Sequence, residues 1–220
     1  DVSSDDMRKN LVPPRESQVE PFLEMIEKVW VDTYTAEVGQ QTLRSYIPKQ
    51  ILLVGSASYN DDGSTTEGTA EGGRQIVLYS VNDFNFTLEQ IQSYAHVMHH
   101  EFAHILHQNV EYDAEFEKIT PSYSSSWMQM NDETARTKGF ITAYASSSAD
   151  EDFAEMVSIM LTNSPEDWDN MIESAGNATA VEALRKKEAI VVAYMKNNWG
   201  VDMKDFQKEV VAAIEAAVRN

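Results

Sequence analysis

All five histidines of the chain, His96, His99, His100, His104 and His107, fall within twelve residues. His100-Glu101-Phe102-Ala103-His104 spells H-E-x-x-H. On an α-helix, positions i and i+4 stand about 40° apart. Two imidazoles so placed can reach one zinc ion at about 2.0–2.1 Å each. Glu101 then points to a neighbouring face, close to the ion without binding it, where it can accept a proton from metal-activated water. The bland alternative is a surface helix with two solvated histidines. Three features weigh against it: the motif's amphipathic helix, the strand-like segments before it and the lack of histidine elsewhere. His96 and His107 share the metal-facing side by spacing and His99 does not. A supporting or surface role, rather than ligation, is expected for all three.

A catalytic zinc needs a third protein ligand and an open position for water. The longer motif with a glycine and a third histidine is absent, because His107 stands at the glycine position and Val110 at the histidine position. A carboxylate on a later helix is therefore expected. The segment Ser148 to Glu155 offers Asp150, Glu151, Asp152 and Glu155, and position alone does not choose among them. Glu151 and Glu155 lie one turn apart on one face, so one could ligate while the other holds a histidine N–H. Ser148 and Glu151 also have capping-box spacing, so Glu151 could simply cap the helix.

Residues 1–16 are polar and read as a flexible lead-in. Val19, Phe22, Leu23, Ile26, Val29 and Trp30 recur at spacings of three and four, which predicts a helix with Ser17 as N-cap and Pro21 in its first turn. Two strand-like runs follow, Ile51 to Tyr59 and Gln75 to Val81, and read as a hairpin or sheet. Between them, Asn60 to Arg74 is rich in Asp, Gly, Ser and Thr. Asn60-Asp61-Asp62-Gly63 lacks the alternating ligands of an EF-hand, so a solvated turn is expected there. The metal-motif helix should run from about Thr87 to Gln108. Thr87 and Gln90 have capping-box spacing, and the Leu88/Ile91/Ala95/Met98/Phe102/Ile105 stripe lies opposite the imidazoles. A polar stretch from Asn109 to Thr137 reads as loop with room for a short helix, and the remainder as helices near 148–161, 168–174, 179–197 and 203–218. The expected architecture is α+β: a lobe with a small sheet to about residue 108 and a helical lobe from about 109, forming one domain over 17–220 with a cleft between the lobes.

The balance of 17 basic against 36 acidic residues, a net of −19, argues against nucleic acid or an anionic membrane surface as partner. No apolar run approaches the roughly 18–20 residues of a bilayer span. The absence of cysteine excludes disulfides, thiolate metal sites and cysteine nucleophiles, and fits an extracytoplasmic location. The opening Asp1-Val2-Ser3-Ser4 reads as a mature form whose targeting segment has been removed.

After His100-Glu101-Phe102-Ala103-His104 come Tyr144 and then Glu151-Asp152-Phe153-Ala154-Glu155. This series resembles the protease domain of anthrax lethal factor. The chain as a whole is similar to the zinc-binding metallopeptidases of gut Bacteroidetes, often found as lipoproteins. The resemblance implies a zincin-like fold and a zinc-dependent peptidase acting on peptide or protein substrates. It implies Glu151 as third ligand beside His100 and His104, Glu155 as a carboxylate behind the ligands, and Tyr144 as the group that stabilises the oxyanion. It also implies a periplasmic or outer-membrane lipoprotein with nutrient-uptake partners at the cell surface. Two other classes compete: an accessory module of an outer-membrane nutrient-uptake system that holds zinc without turnover, and a helical protein with an incidental motif. Glu101, the base a silent module has no need to keep, favours the enzyme. Gln75 to Val81 is expected to offer a sheet edge to an extended peptide, with an interior strand as the equal alternative. For Trp127, Met128 and Met130, lining a specificity pocket and packing in the core are equal expectations.

Overall fold

The computed structural model describes residues 11–59, 65–66, 68–71 and 75–219. The expected turn at Asn60-Asp61-Asp62-Gly63 lies outside these residues. Helix α1 spans Glu16–Ile26 and runs on through a π-helical turn, Glu27–Asp32, into α2, Thr33–Val38. Its N-cap position is Arg15, so Ser17 lies inside the helix rather than capping it. The backbone N–H of Arg15 donates to Asn82 Oδ1 at 2.7 Å and the N–H of Gly55 to the Val12 carbonyl at 2.8 Å, which ties segment 11–15 to the body. Helix α3, Gln40–Tyr46, precedes the strands.

The strands are β1 Gln50–Leu53, β2 Ser58–Tyr59, β3 Thr65–Thr66, β4 Gly68–Glu71 and β5 Gln75–Leu78. The two runs expected as a hairpin or sheet do share a sheet, but not as a hairpin: they pair in parallel, with Ile51 opposite Ile76 and Leu53 opposite Leu78. A parallel pair needs a long connection, and the stretch between the runs supplies it. Within it β4 returns antiparallel along β5, giving the order β1-β5-β4, while β2 and β3 form a separate two-stranded ladder. β5 is thus the middle strand, bounded on both sides, and cannot offer a free edge; β1 and β4 are the edge strands. Gly68 starts β4 against the metal-motif helix, where an added Cβ would collide with the Val97 side chain. That close approach requires glycine.

The metal-motif helix is α4, Leu88–Asn109, 22 residues long. Thr87 caps it by accepting from the Gln90 N–H, but the Gln90 side chain accepts from the Asn85 N–H, so only half of the capping box forms. The buried stripe is Ile91, Ala95, Met98, Phe102 and Ile105; Leu88, at the helix start, is exposed. Edge-on ring contacts join Phe102 to Trp30 and Tyr34, and Tyr34 to Phe206. Aromatic pairs of this kind add about 0.5–1.5 kcal/mol each beyond their buried area.

The rest is helical: α5 Glu115–Ile119, α6 Asp132–Thr137, α7 Ala149–Thr162, α8 Pro165–Glu173, α9 Ala178–Tyr194 and α10 Met203–Ala217. A π-helical turn, Met195–Trp199, extends α9. The long polar stretch, expected as loop with room for one short helix, carries two. Helix α7 packs along α4, and α10 covers α4, α7 and the first π turn. The α+β class stands, with a small sheet beside a mainly helical body. Among the described residues no helix is long and apolar enough to cross a membrane.

Candidate metal centre

Two helices build the site. On α4, His100 and His104 project from one face. On α7, Ser148 is the N-cap, and its Oγ accepts from the Glu151 N–H at 3.3 Å. The capping spacing is therefore used by the backbone, which leaves the Glu151 carboxylate free to turn toward α4. Glu151 Oε2 lies 3.0 Å from His100 Nε2 and 3.1 Å from His104 Nε2, and the two Nε2 atoms are 3.1 Å apart. Ligands at about 2.0–2.1 Å around a tetrahedral zinc stand about 3.3–3.4 Å from one another. The observed triangle is slightly tighter than that. Its three ligand atoms lie close enough together to share one ion, so the donor set fits a zinc ion.

The electrostatics agree. Burial pushes Glu151 up, but the hydrogen bonds with His100 and His104 prevail and hold it well below the usual carboxylate range. Burial lowers the basicity of His100, yet its contacts with Glu151 and Glu155 raise its pKa to about 10. The cluster therefore demands a positive charge between the imidazoles and the carboxylate. A proton meets that demand in part, and a divalent ion does so by displacing the proton.

Behind the triangle each imidazole has a partner. Glu155 Oε1 is 2.8 Å from His100 Nδ1, at ion-pair distance though off the hydrogen-bond line, and 2.8 Å from His96 Nε2. The Thr142 hydroxyl donates to Glu155 Oε2 at 2.6 Å. These contacts hold Glu155 well below the carboxylate range although it is only 2% exposed. His96, His100 and Glu155 form a second group close enough to share an ion. There, however, His100 would present its Nδ1, and Glu155 is already committed to three neighbours, so the group serves as a support. On the other side His104 Nδ1 lies 2.9 Å from His107 Nε2. His99 points away: fully buried, it sits 3.2 Å from the Val29 carbonyl, and burial drops its pKa to about 3.

The four candidate carboxylates of α7 thus separate. Glu151 faces both imidazoles and Glu155 backs one of them. Asp150 turns outward to accept from the Tyr112 hydroxyl at 2.7 Å. Asp152 turns inward, fully buried, to Lys187 Nζ at 2.5 Å and the Tyr123 hydroxyl at 3.0 Å. Glu101 is half-buried beside the triangle; burial raises its pKa against the pull of His100 and His104. The Tyr144 ring lies 5.8 Å from His100, and its hydroxyl hydrogen-bonds Glu151. Burial, and then the Glu151 charge, push its pKa up. Trp127 meets Tyr144 edge-on at 4.9 Å and, like Met130, packs half-buried against the core, whereas Met128 is 61% exposed.

Sequence reasoning missed Lys187 and Thr142. Lys187 lies in Arg185-Lys186-Lys187, which looks like a solvated charge run. Its signal was helical spacing, since Leu184, Lys187 and Val191 share the buried face of α9.

A family described as "putative zinc-binding metallo-peptidase" matches residues 1–204. The chain belongs to this family. A crystal structure of a protein of the same description from Bacteroides caccae superposes with a TM-score of 0.82 at 32% identity, covering 94% of this chain and 80% of that one. No curated protein matches the chain. Membership assigns zinc as the metal, and the His100/His104/Glu151 group is one that could hold it.

Proposed function

We propose that the chain is a zinc-dependent peptidase in which His100, His104 and Glu151 hold the ion and Glu101 is the general base. The observation that carries this is the triangle of two Nε2 atoms and one carboxylate oxygen within 3.1 Å, beside a half-buried glutamate raised in pKa. A zinc ion held there supplies Lewis acidity, which brings the pKa of a water down to near neutrality. Glu101 takes the proton as the water attacks a peptide carbonyl carbon. It then passes that proton to the departing amine as the C–N bond breaks. Burial suits it to both steps, because raising a carboxylate's pKa makes it a stronger base for the water's proton and it can still return that proton to the amine. The raised pKa of Tyr144 keeps its O–H protonated, so it can donate to the oxyanion. Glu155 holds the His100 ring from behind.

Among the described residues β4 pairs on one side only and lies against α4. It is the edge on which we place an extended peptide, by strand addition. The lack of cysteine supports placing the protein outside the cytoplasm.

The test is digestion of a broad peptide library by the zinc-loaded wild type and by Glu101→Gln. The variant should keep its zinc and lose about 10²–10⁴ in turnover. Full activity in that variant removes Glu101 as the base, and a zinc-loaded wild type that cuts nothing favours the accessory module.

A further inference from the structure

His104 can bind a metal through Nε2 only if its remaining proton sits on Nδ1. Among the described residues that Nδ1 meets no carboxylate. It meets His107 Nε2 at 2.9 Å, one helical turn further along α4. His107 is itself buried, with its ring edge-on to Tyr112 at 5.5 Å and to Phe153 at 5.9 Å. We infer that His107 is a positioning residue of the metal centre: its Nε2 lone pair accepts the Nδ1–H of His104 and so locks that ring in the tautomer and rotation that aim its Nε2 at His100 and Glu151. This role rests on the zinc centre proposed above.

The two ligand imidazoles are therefore backed differently. His100 meets an anionic carboxylate, Glu155, which is borrowed from another helix. His104 meets a neutral ring on its own helix. The second arrangement is local, since residues three apart on a helix are neighbours, so the hydrogen bond itself uses no residue of α7. It also leaves Glu151 and Glu155 as the two carboxylates in direct contact with the ligand imidazoles, so their combined charge equals that of one divalent ion in magnitude. Tyr112 and Phe153 fix His107 in turn. Those two rings stack at 4.4 Å, which joins the segment after α4 to α7 immediately behind the ligands.

The test compares zinc dissociation constants for wild type, His107→Phe, His107→Met and His107→Gln, measured against a competing chromophoric chelator. Thermal melts of the metal-free forms run in parallel. Phe keeps the aromatic packing and removes the acceptor. Met removes it with an unbranched chain. Gln can return an oxygen to about the place of Nε2. We expect Phe and Met to weaken zinc binding about 10- to 100-fold, and Gln to stay within a few-fold of wild type. In the cobalt-substituted protein the visible bands should shift for Phe and Met and return for Gln. Wild-type affinity in both Phe and Met overturns the inference. So does a Gln variant as weak as Met, because the effect then tracks ring loss rather than the acceptor. A wild-type protein that takes up no zinc overturns the zinc centre itself, which is a separate failure.

Discussion

Lys187→Met should destabilise the fold strongly, and the cost should shrink in acid. Both members of the Lys187–Asp152 pair are fully buried at 2.5 Å. Lys187 also donates to the Gly139 carbonyl at 2.7 Å and lies 4.3 Å over the Phe140 ring. Removing it leaves a buried carboxylate with one hydroxyl donor, from Tyr123, and with an Oδ1 that has no hydrogen-bond partner among the described residues. Breaking a buried pair from one side costs about 3–5 kcal/mol. For a chain of this size about 2–4 °C is lost per kcal/mol, so a fall of roughly 6–20 °C in Tm is expected at pH 7. The pH dependence follows from Asp152. Burial already lifts its pKa to about 6 against the pull of Lys187, and loss of the lysine lifts it further. A folded-state pKa above the unfolded value makes the carboxylate costly at high pH. That cost fades as pH falls through the folded pKa toward the ordinary range near 4. The gap between variant and wild type should therefore narrow from pH 7 to pH 5. Asp152→Asn combined with Lys187→Met should recover part of the loss, because the stranded charge is gone. Urea unfolding at both pH values is the assay. A loss under about 1 kcal/mol, or an equal loss at the two pH values, refutes the account of this pair.

Tyr144→Phe should lower kcat about 10²- to 10³-fold with zinc affinity unchanged, read by steady-state kinetics beside the chelator assay. Glu155→Gln should weaken zinc binding about 10- to 100-fold, because the neutral amide holds the His100 ring less firmly. Zinc uptake at pH 7 should release a proton: the metal-free His100, with its pKa raised to about 10, carries one that the ion must displace. Calorimetry in buffers of different ionisation enthalpy counts that proton, and uptake without release contradicts the charge state assigned to the triangle.

The half of the site on α4 was legible because i/i+4 spacing is a local property: two histidines on one turn share a face whatever the rest of the chain does. The half on α7 was legible only through the family resemblance, not from spacing. Four carboxylates lay within six residues, and which of them meets the imidazoles depends on how α7 is rotated against α4. The structure shows what fixes that rotation. Phe153, Ala154 and Met156 are buried, Asp152 is drawn inward by Lys187, and Glu151 and Glu155 are left facing α4. Strand pairing was hidden for a different reason. Gly68-Thr69-Ala70-Glu71 has little strand propensity, so the edge strand was invisible and the two apolar runs flanking it looked like each other's hairpin partners. The π-helical turn at Glu27–Asp32 left no trace in the apolar periodicity, although it sets the Val29 carbonyl against His99.

The most direct measurement is a crystal structure of the zinc-loaded protein with anomalous data collected on both sides of the zinc edge. One ion is expected, bound by His100 Nε2, His104 Nε2 and a Glu151 carboxylate oxygen at about 2.0–2.2 Å, with a position left open to solvent and Glu101 beside it. An ion held instead by His96 and Glu155, or bound with Glu151 turned away, contradicts the account.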